Sequence, residues 1–169
     1  MKLDLKALRA QPGKRQPFAG EISLDPSDFA EPVSLDGPVS VHGWAALEDD
    51  DTVRLGVRFK AALTRACSRC LAEVPLALAE ADTVVLRGTA KAELLADEFN
   101  FVLGEPQIDL KPVVLSLLLG AFEPKPLCSA DCKGLCPGCG ANLNEAACGC
   151  GEAHVRDARL AGLAKLLDP

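Results

Sequence analysis

The segment LCSADCKGLCPGCGANLNEAACGCG, residues 127–151, decides how this chain folds. It holds six of the eight cysteines, and the other two, Cys67 and Cys70, form a close pair upstream. Thiols in close pairs can be cross-linked as disulfides, act in redox chemistry, or bind metal ions. Which of these three applies determines the architecture of the C-terminal region and narrows the possible functions.

The predicted compartment argues against disulfides. The N-terminal residues MKLDLKALRAQPGKRQ contain no apolar run of the kind found in signal peptides. The longest apolar run, residues 113–122, is too short to cross a bilayer. We therefore expect a cytoplasmic protein with no membrane partner. Paired cysteines in that reducing compartment usually bind metal or act in catalysis.

The spacing of the cysteines predicts two zinc ions per chain. Two cysteines separated by two residues can direct both sulfurs at one ion, and four sulfurs at about 2.3 Å complete the tetrahedron that zinc prefers. Site 1 would combine the upstream pair with the first two cysteines of the tail: Cys67, Cys70, Cys128 and Cys132. Site 2 would use the remaining four: Cys136, Cys139, Cys148 and Cys150. The tail also permits another grouping, in which its first four cysteines share one ion and the upstream pair stays free.

Other chemistries for these thiols remain open. A thioredoxin-like redox pair needs its first thiol at a helix N-terminus, and Pro75 disfavours a helix that starts at Cys70. An iron–sulfur cluster is possible wherever four thiolates meet. The sequence has no recognisable paired carboxylates, nucleophile–histidine pair or phosphate-binding loop, and a closed four-thiolate site has no open metal position. We therefore predict no enzyme and no small-molecule substrate.

The rest of the chain predicts an α+β fold. Apolar and polar residues alternate from Val53 to Thr64, which is typical of a half-buried antiparallel strand. We expect an antiparallel, β-rich, barrel-like main domain with a buried helix, a C-terminal cysteine-rich zinc module and a terminal helix over 155–167. The predicted divisions are a flexible basic arm (1–17), a β-rich domain (18–123) with its helix at 110–122, and the zinc module with the last helix (124–169).

Charge is unevenly distributed along a chain whose net charge is −6. Residues 21–51 contain nine acidic residues and no lysine or arginine. Residues 52–70 contain no acid and five basic residues: Arg54, Arg58, Lys60, Arg65 and Arg69. Such a stripe is ordinarily a solvated strand face, and its functional interpretation is contact with RNA phosphates. Because the chain has one tryptophan and no tyrosine, we expect contact with RNA backbone and shape rather than base stacking.

These features together resemble the YceD family, bacterial and plastid proteins linked to the accumulation of large-subunit ribosomal RNA. The cysteine block is the most specific part of the resemblance, and some members keep the first cysteine pair without it, which supports two separable sites. The similar segments are CSRCLAEV (67–74), QIDLKPVVLSLLLG (107–120), LCSADCKGLCPGCGANLN (127–144), CGC (148–150) and DARLAGLAKLL (157–167).

The resemblance implies a non-enzymatic role in producing or stabilising 23S ribosomal RNA. The partner would be ribosomal RNA, a ribosomal assembly intermediate or a ribosomal protein. Two other hypotheses remain: a zinc-stabilised adaptor that binds proteins and no nucleic acid, and an oxidoreductase that uses Cys67 and Cys70.

Overall fold

The computed structural model of the chain describes residues 1–89, 100–102 and 105–150. The chain divides into two units. The first contains Met1–Arg65 and Pro75–Pro124, and the second contains Ala66–Val74 with the residues from Lys125 onward. The predicted domain boundary at residue 124 placed the Cys67–Cys70 turn in the β-rich domain. In the structure this turn belongs to the second unit, with the C-terminal cysteines. The terminal helix expected over 155–167 lies outside the described residues.

The main sheet has the strand order β2–β4–β5–β6–β7, and β3 also pairs with β5. The β2–β4, β3–β5 and β4–β5 pairs are antiparallel, whereas β7 runs parallel to β6. The β-rich, mainly antiparallel fold is confirmed. The barrel-like closure is wrong, because a barrel requires its edge strands to pair with each other and in the described residues β2 and β7 are open edges. The strands are β2 (Gln16–Ile22), β3 (Val33–Leu35), β4 (Val39–Asp49), β5 (Thr52–Ala66), β6 (Glu73–Thr89) and β7 (Asn100–Val102).

Strand β5 confirms the predicted alternation and defines two faces of the sheet. Successive side chains of a strand point to opposite sides. The outer face of β5 carries Arg54, Arg58 and Lys60, all exposed. The inner face supplies much of the hydrophobic core. Full burial of each large apolar side chain stabilises the folded state by about 1.5–3 kcal/mol. The buried residues of this face are Val53, Leu55, Val57, Phe59, Ala61 and Leu63.

Helix α2, Lys111–Gly120, lies against the inner face of the sheet. Leu117 and Ala121 line the same cavity as Phe59 of β5. The helix was predicted at 110–122 and is confirmed within two residues at each end, but it is only half buried. Its buried residues are Val113, Val114 and Leu118, whereas Leu119 is 43% exposed.

The N-terminal residues are ordered, in contrast to the flexible arm expected over 1–17. Strand β1, Lys2–Asp4, pairs antiparallel with β8, Gln107–Asp109, and helix α1 spans Leu5–Ala10. Asp4 caps α1 by accepting the amide hydrogens of Lys6 and Ala7 at 2.8 and 3.3 Å. The physical reason is that Leu5 and Leu8 lie on one helix face and are both fully buried, which offsets the entropy of ordering this short segment.

Candidate metal centres

The upstream knuckle, residues 67–72, is a tight turn that follows β5. The Leu71 amide donates to the Cys67 carbonyl at 3.0 Å, and the Cys67 amide donates to the Ala72 carbonyl at 2.8 Å. The Arg69 amide points at the Cys67 sulfur, 3.5 Å away. These bonds hold Cys67 and Cys70 on the same side of the turn, and both side chains are buried.

Site 1 forms where the upstream knuckle meets the segment that starts the tail. The Ser68 amide donates to the Pro126 carbonyl at 2.8 Å, which places the two segments side by side. All four sulfurs of Cys67, Cys70, Cys128 and Cys132 then lie within 4.8 Å of one another. The Cys67–Cys132 and Cys70–Cys128 sulfur pairs are 3.8 and 3.5 Å apart.

These separations suit a single metal ion. Four sulfurs at about 2.3 Å from one tetrahedral ion lie about 3.8 Å from each other. A disulfide requires about 2.05 Å between sulfurs, and all eight cysteines are free thiols. The donor set and its spacing therefore fit a tetrahedral thiolate-bound ion.

Site 2 repeats this arrangement with the downstream knuckle, residues 136–141, and the Cys148–Cys150 pair. Its four sulfurs also lie within 4.8 Å of one another, with 3.3 Å between Cys136 and Cys148. The sulfur of Cys136 receives the Gly138 amide at 3.4 Å. The predicted grouping of the cysteines into two sets of four is the grouping that the structure brings together, and the alternative set of Cys128, Cys132, Cys136 and Cys139 is not.

The two knuckles share one hydrogen-bond pattern. In the downstream knuckle the Gly140 amide donates to the Cys136 carbonyl at 2.8 Å, and the Cys136 amide donates to the Ala141 carbonyl at 2.8 Å. Leu71 and Gly140 thus occupy equivalent positions, with φ of 62° and 74°. Glycine adopts this left-handed conformation freely, whereas a leucine is strained there.

The sites differ in exposure. Three of the four cysteines of site 1 are buried, and only Cys128 is exposed. In site 2 only Cys136 is buried, while Cys139 and Cys150 are exposed. An ion in site 2 is therefore more accessible to solvent and to competing ligands.

Asn144 supports site 1 from the segment that lies between the cysteine pairs of site 2, and sequence reasoning assigned it no role. Its side-chain amide donates to the Cys132 sulfur at 3.4 Å, and its oxygen accepts the Lys133 amide at 2.8 Å. Asn142, two residues earlier, forms a β-bridge with Leu135 beside Cys136. Such partners of ligands orient them and tune their basicity. The ANLN stretch is visible in the sequence, but its role depends on the turn that returns it to Cys132.

Crowding of four thiols separates their pKa values. Amide hydrogens, first those of Arg69 and Cys70, lower the pKa of Cys67 to about 6. The Cys139 amide, the Cys148 thiol and the Gly138 amide lower the pKa of Cys136 to about 6.

Cys70 and Cys150 have raised pKa values instead. The pKa of Cys70 rises to about 12, because burial and the neighbouring thiols outweigh the Ala72 amide that favours its thiolate. The Cys139 and Cys136 sulfurs raise the pKa of Cys150 to about 12. A divalent cation would favour the thiolate at all four positions of a site and so release protons.

The basic stripe is only partly available on the outer face. Arg58 and Lys60 are exposed there. Arg54 is held by Glu48 through two hydrogen bonds, one of them 3.1 Å long, and this carboxylate raises the Arg54 pKa. Arg69 donates to the Cys132 carbonyl at 2.8 Å and so supports site 1.

Arg65 does not belong to an RNA-contact surface, contrary to the prediction. It continues the inner-face alternation of β5, and its side chain is only 6% exposed. It pairs with Glu31, donates to the Glu123 carbonyl at 2.7 Å, and lies 4.7 Å above the Phe122 ring. Extending the period of two by one residue beyond Thr64 would have identified it as inward-facing.

Together these features define a β-sheet protein with two four-cysteine knuckle sites suited to tetrahedral metal ions. A family comparison gives the identity of the class. The chain belongs to the YceD family, described as large ribosomal RNA subunit accumulation protein YceD, whose sequence profile matches residues 55–167. The matched range includes β5 from Leu55 onward and all eight cysteines. Comparison with curated proteins and with solved structures gives no match.

Among the described helices, none has the length and apolarity needed to span a bilayer.

Proposed function

We propose that this chain is a non-enzymatic zinc protein of the cytoplasm that supports accumulation of 23S ribosomal RNA during biogenesis of the large ribosomal subunit. It acts by contacting the RNA or an assembly intermediate. The observation that carries the proposal is membership of the YceD family over a range that contains both four-cysteine groups.

Zinc is favoured over an iron–sulfur cluster by the sulfur separations. Values of 3.3–3.8 Å match one ion in a tetrahedron. A cluster of two or four irons places metal and sulfide between its ligands and sets them further apart. Because four protein thiolates complete the coordination of zinc, neither site has a position for a substrate, which supports a structural rather than a catalytic role.

RNA contact is supported by Arg58 and Lys60, which form no ion pair within the described residues. Four of the nine acidic residues of segment 21–51 form ion pairs: Asp25, Asp28, Glu31 and Glu48. Lys111 lies 2.8 Å from Asp28 and 3.7 Å from Asp25 and lowers the pKa of Asp28. Each of these pairs also occupies a basic residue, so the net charge of −6 is unchanged, and the proposed RNA contact rests on the local positive charge of the outer face.

A protein adaptor without RNA contact is the second candidate. One observation favours it: Leu71, at the turn of the upstream knuckle, is 66% exposed and is held at φ of 62°, and backbone strain of this kind often accompanies a functional surface. Pull-down after nuclease treatment separates the candidates. Partners retained after complete RNA digestion support the adaptor, and partners lost support the RNA factor.

The direct test is the 23S to 16S ribosomal RNA ratio in cells that lack this chain. We expect the ratio to fall on deletion and to be restored by the intact chain but not by Cys67→Ser/Cys70→Ser. Arg58→Glu/Lys60→Glu should restore it poorly, whereas the matched control Lys6→Glu/Arg9→Glu on α1 should restore it fully. An unchanged ratio after deletion overturns the proposal.

A further inference from the structure

The outer face of β4 and β5 places the only tryptophan in the same surface as the basic residues. Strand register pairs Trp44 with Gly56, His42 with Arg58, and Ser40 with Lys60. Directly paired residues of antiparallel strands lie on the same face. Trp44 is therefore one row from Arg58 and two rows from Lys60, which the sequence analysis did not recognise because it requires the register.

The indole of Trp44 packs directly against Gly56. A β-carbon on residue 56 would collide with Nε1 and Cε2 of the indole, so this packing requires glycine at that position. The guanidinium of Arg15 lies over the ring, with 4.0 Å between its central carbon and the ring centroid. Arg15 is exposed. The pair thus presents a planar cation supported by an aromatic ring, an arrangement on which nucleic acid bases stack.

Beside this pair is an open groove of about 660 Å³. His42, Trp44 and Arg58 line it, together with Gly56. Its volume falls in the range of roughly 300–1,000 Å³ that is typical of sites for small planar ligands. Asp82 borders the groove on β6, where its carboxylate accepts the Thr83 amide at 2.7 Å. This carboxylate would keep phosphates toward the β4–β5 side.

The positive charges of this surface are suited to the phosphates of one nucleic acid strand. Arg15, Arg58 and Lys60 form no ion pair among the residues that the structure describes. Arg58 and Lys60 are two positions apart on one strand, about 6.6 Å, which is comparable with the separation of successive phosphates in an extended strand. A protein partner would not require this combination of a stacked guanidinium and two neighbouring cations.

We propose that the outer face of β4 and β5 is a binding site for single-stranded RNA, in which one base stacks on the Arg15–Trp44 pair and Arg58 and Lys60 contact the flanking phosphates. The identity of the strand as ribosomal RNA rests on the proposed function, whereas the stacking site does not.

Intrinsic fluorescence gives the test, since Trp44 is the only tryptophan and the chain has no tyrosine. The metal-loaded full-length chain is titrated with a 12-nucleotide oligoadenylate and with an abasic sugar-phosphate strand of equal length. The adenylate should quench Trp44 saturably. The abasic strand should bind about 5- to 160-fold more weakly, because a stacked base contributes that much to affinity, and should leave the fluorescence unchanged.

Variants separate stacking from charge, with binding followed by anisotropy of labelled strands. Trp44→Leu should lower affinity for oligoadenylate but not for the abasic strand. Arg15→Gln, a second variant that leaves the sheet intact, should lower affinity for oligoadenylate more than for the abasic strand, because it removes the stacking plane as well as one positive charge. Arg58→Gln/Lys60→Gln should lower the affinity for both strands. It should also reduce the slope of log affinity against log salt concentration by about 1.4. The matched control Lys6→Gln/Arg9→Gln should bind as the parent does.

Three results overturn the inference: no binding of either strand at low salt, saturable binding without quenching of Trp44, or equal affinity for the two strands. Unchanged affinity in both Trp44→Leu and Arg15→Gln overturns it as well. These failures are distinct from failure of the proposed function, because the chain would still restore the 23S to 16S ratio in cells.

Discussion

Replacement of Leu71 tests whether the upstream knuckle holds a leucine in a conformation suited to glycine. At an ordinary exposed position, alanine is more stabilising than glycine by about 0.4–1 kcal/mol, since glycine has more freedom in the unfolded chain. At φ of 62° a side chain costs roughly 1–2 kcal/mol that glycine avoids. Leu71→Gly should therefore be more stable than Leu71→Ala by about 0.5–1 kcal/mol, with the order of the two residues inverted.

Comparing Leu71→Gly with Leu71→Ala cancels the free energy of leucine side-chain burial that both variants lose. Leu71 is 66% exposed, so removal of its side chain forfeits only a part of its burial, and forfeits it equally in both variants. The assay is urea unfolding of the metal-loaded chain at fixed free metal. The matched control is Gly140→Ala at the equivalent position, which should destabilise by a similar 0.5–1 kcal/mol, about the same as the Leu71 difference. Equal stabilities, or a more stable Leu71→Ala, would refute the backbone argument.

Three further predictions concern the metal centres. Asn144→Leu removes the amide that supports Cys132 and should weaken metal at site 1 by about 10- to 100-fold, as measured by chelator competition; an unchanged affinity would make the bond incidental. Near pH 7 each site retains two thiols with raised pKa values, Cys70 and Cys128 or Cys148 and Cys150. Affinity should therefore fall by at least about 100-fold for each unit that pH falls, because metal binding must release at least these two protons, and a pH-independent affinity would contradict this. A chelator should remove metal from the exposed site 2 before site 1. The parent chain should then release its metal in a fast and a slow phase, and Cys136→Ser/Cys139→Ser, which keeps only site 1, should show the slow phase alone. A single common rate would count against this order.

The sequence predicted those parts of the molecule that depend on local spacing. The period of two in β5 identified its faces, and the close cysteine pairs identified the two groups of four. Each of these signals lies within a few residues, or needs only that close pairs meet around an ion.

The parts that depend on long-range pairing were missed. Residues 1–17 were predicted as a flexible basic arm, whereas β1 and α1 form there through burial of Leu5 and Leu8 and pairing with the distant β8. Trp44 could be placed beside Arg58 only through the β4–β5 register. Arg65 was included among the RNA contacts because the predicted strand ended at Thr64, two residues before the end of β5.

Elemental analysis of the purified chain and of two cysteine variants tests the central claim most directly. We predict two zinc ions per intact chain. One ion should remain in Cys67→Ser/Cys70→Ser and one in Cys136→Ser/Cys139→Ser. A chain without metal, or an upstream variant that still binds two ions, would contradict the account of two four-cysteine sites.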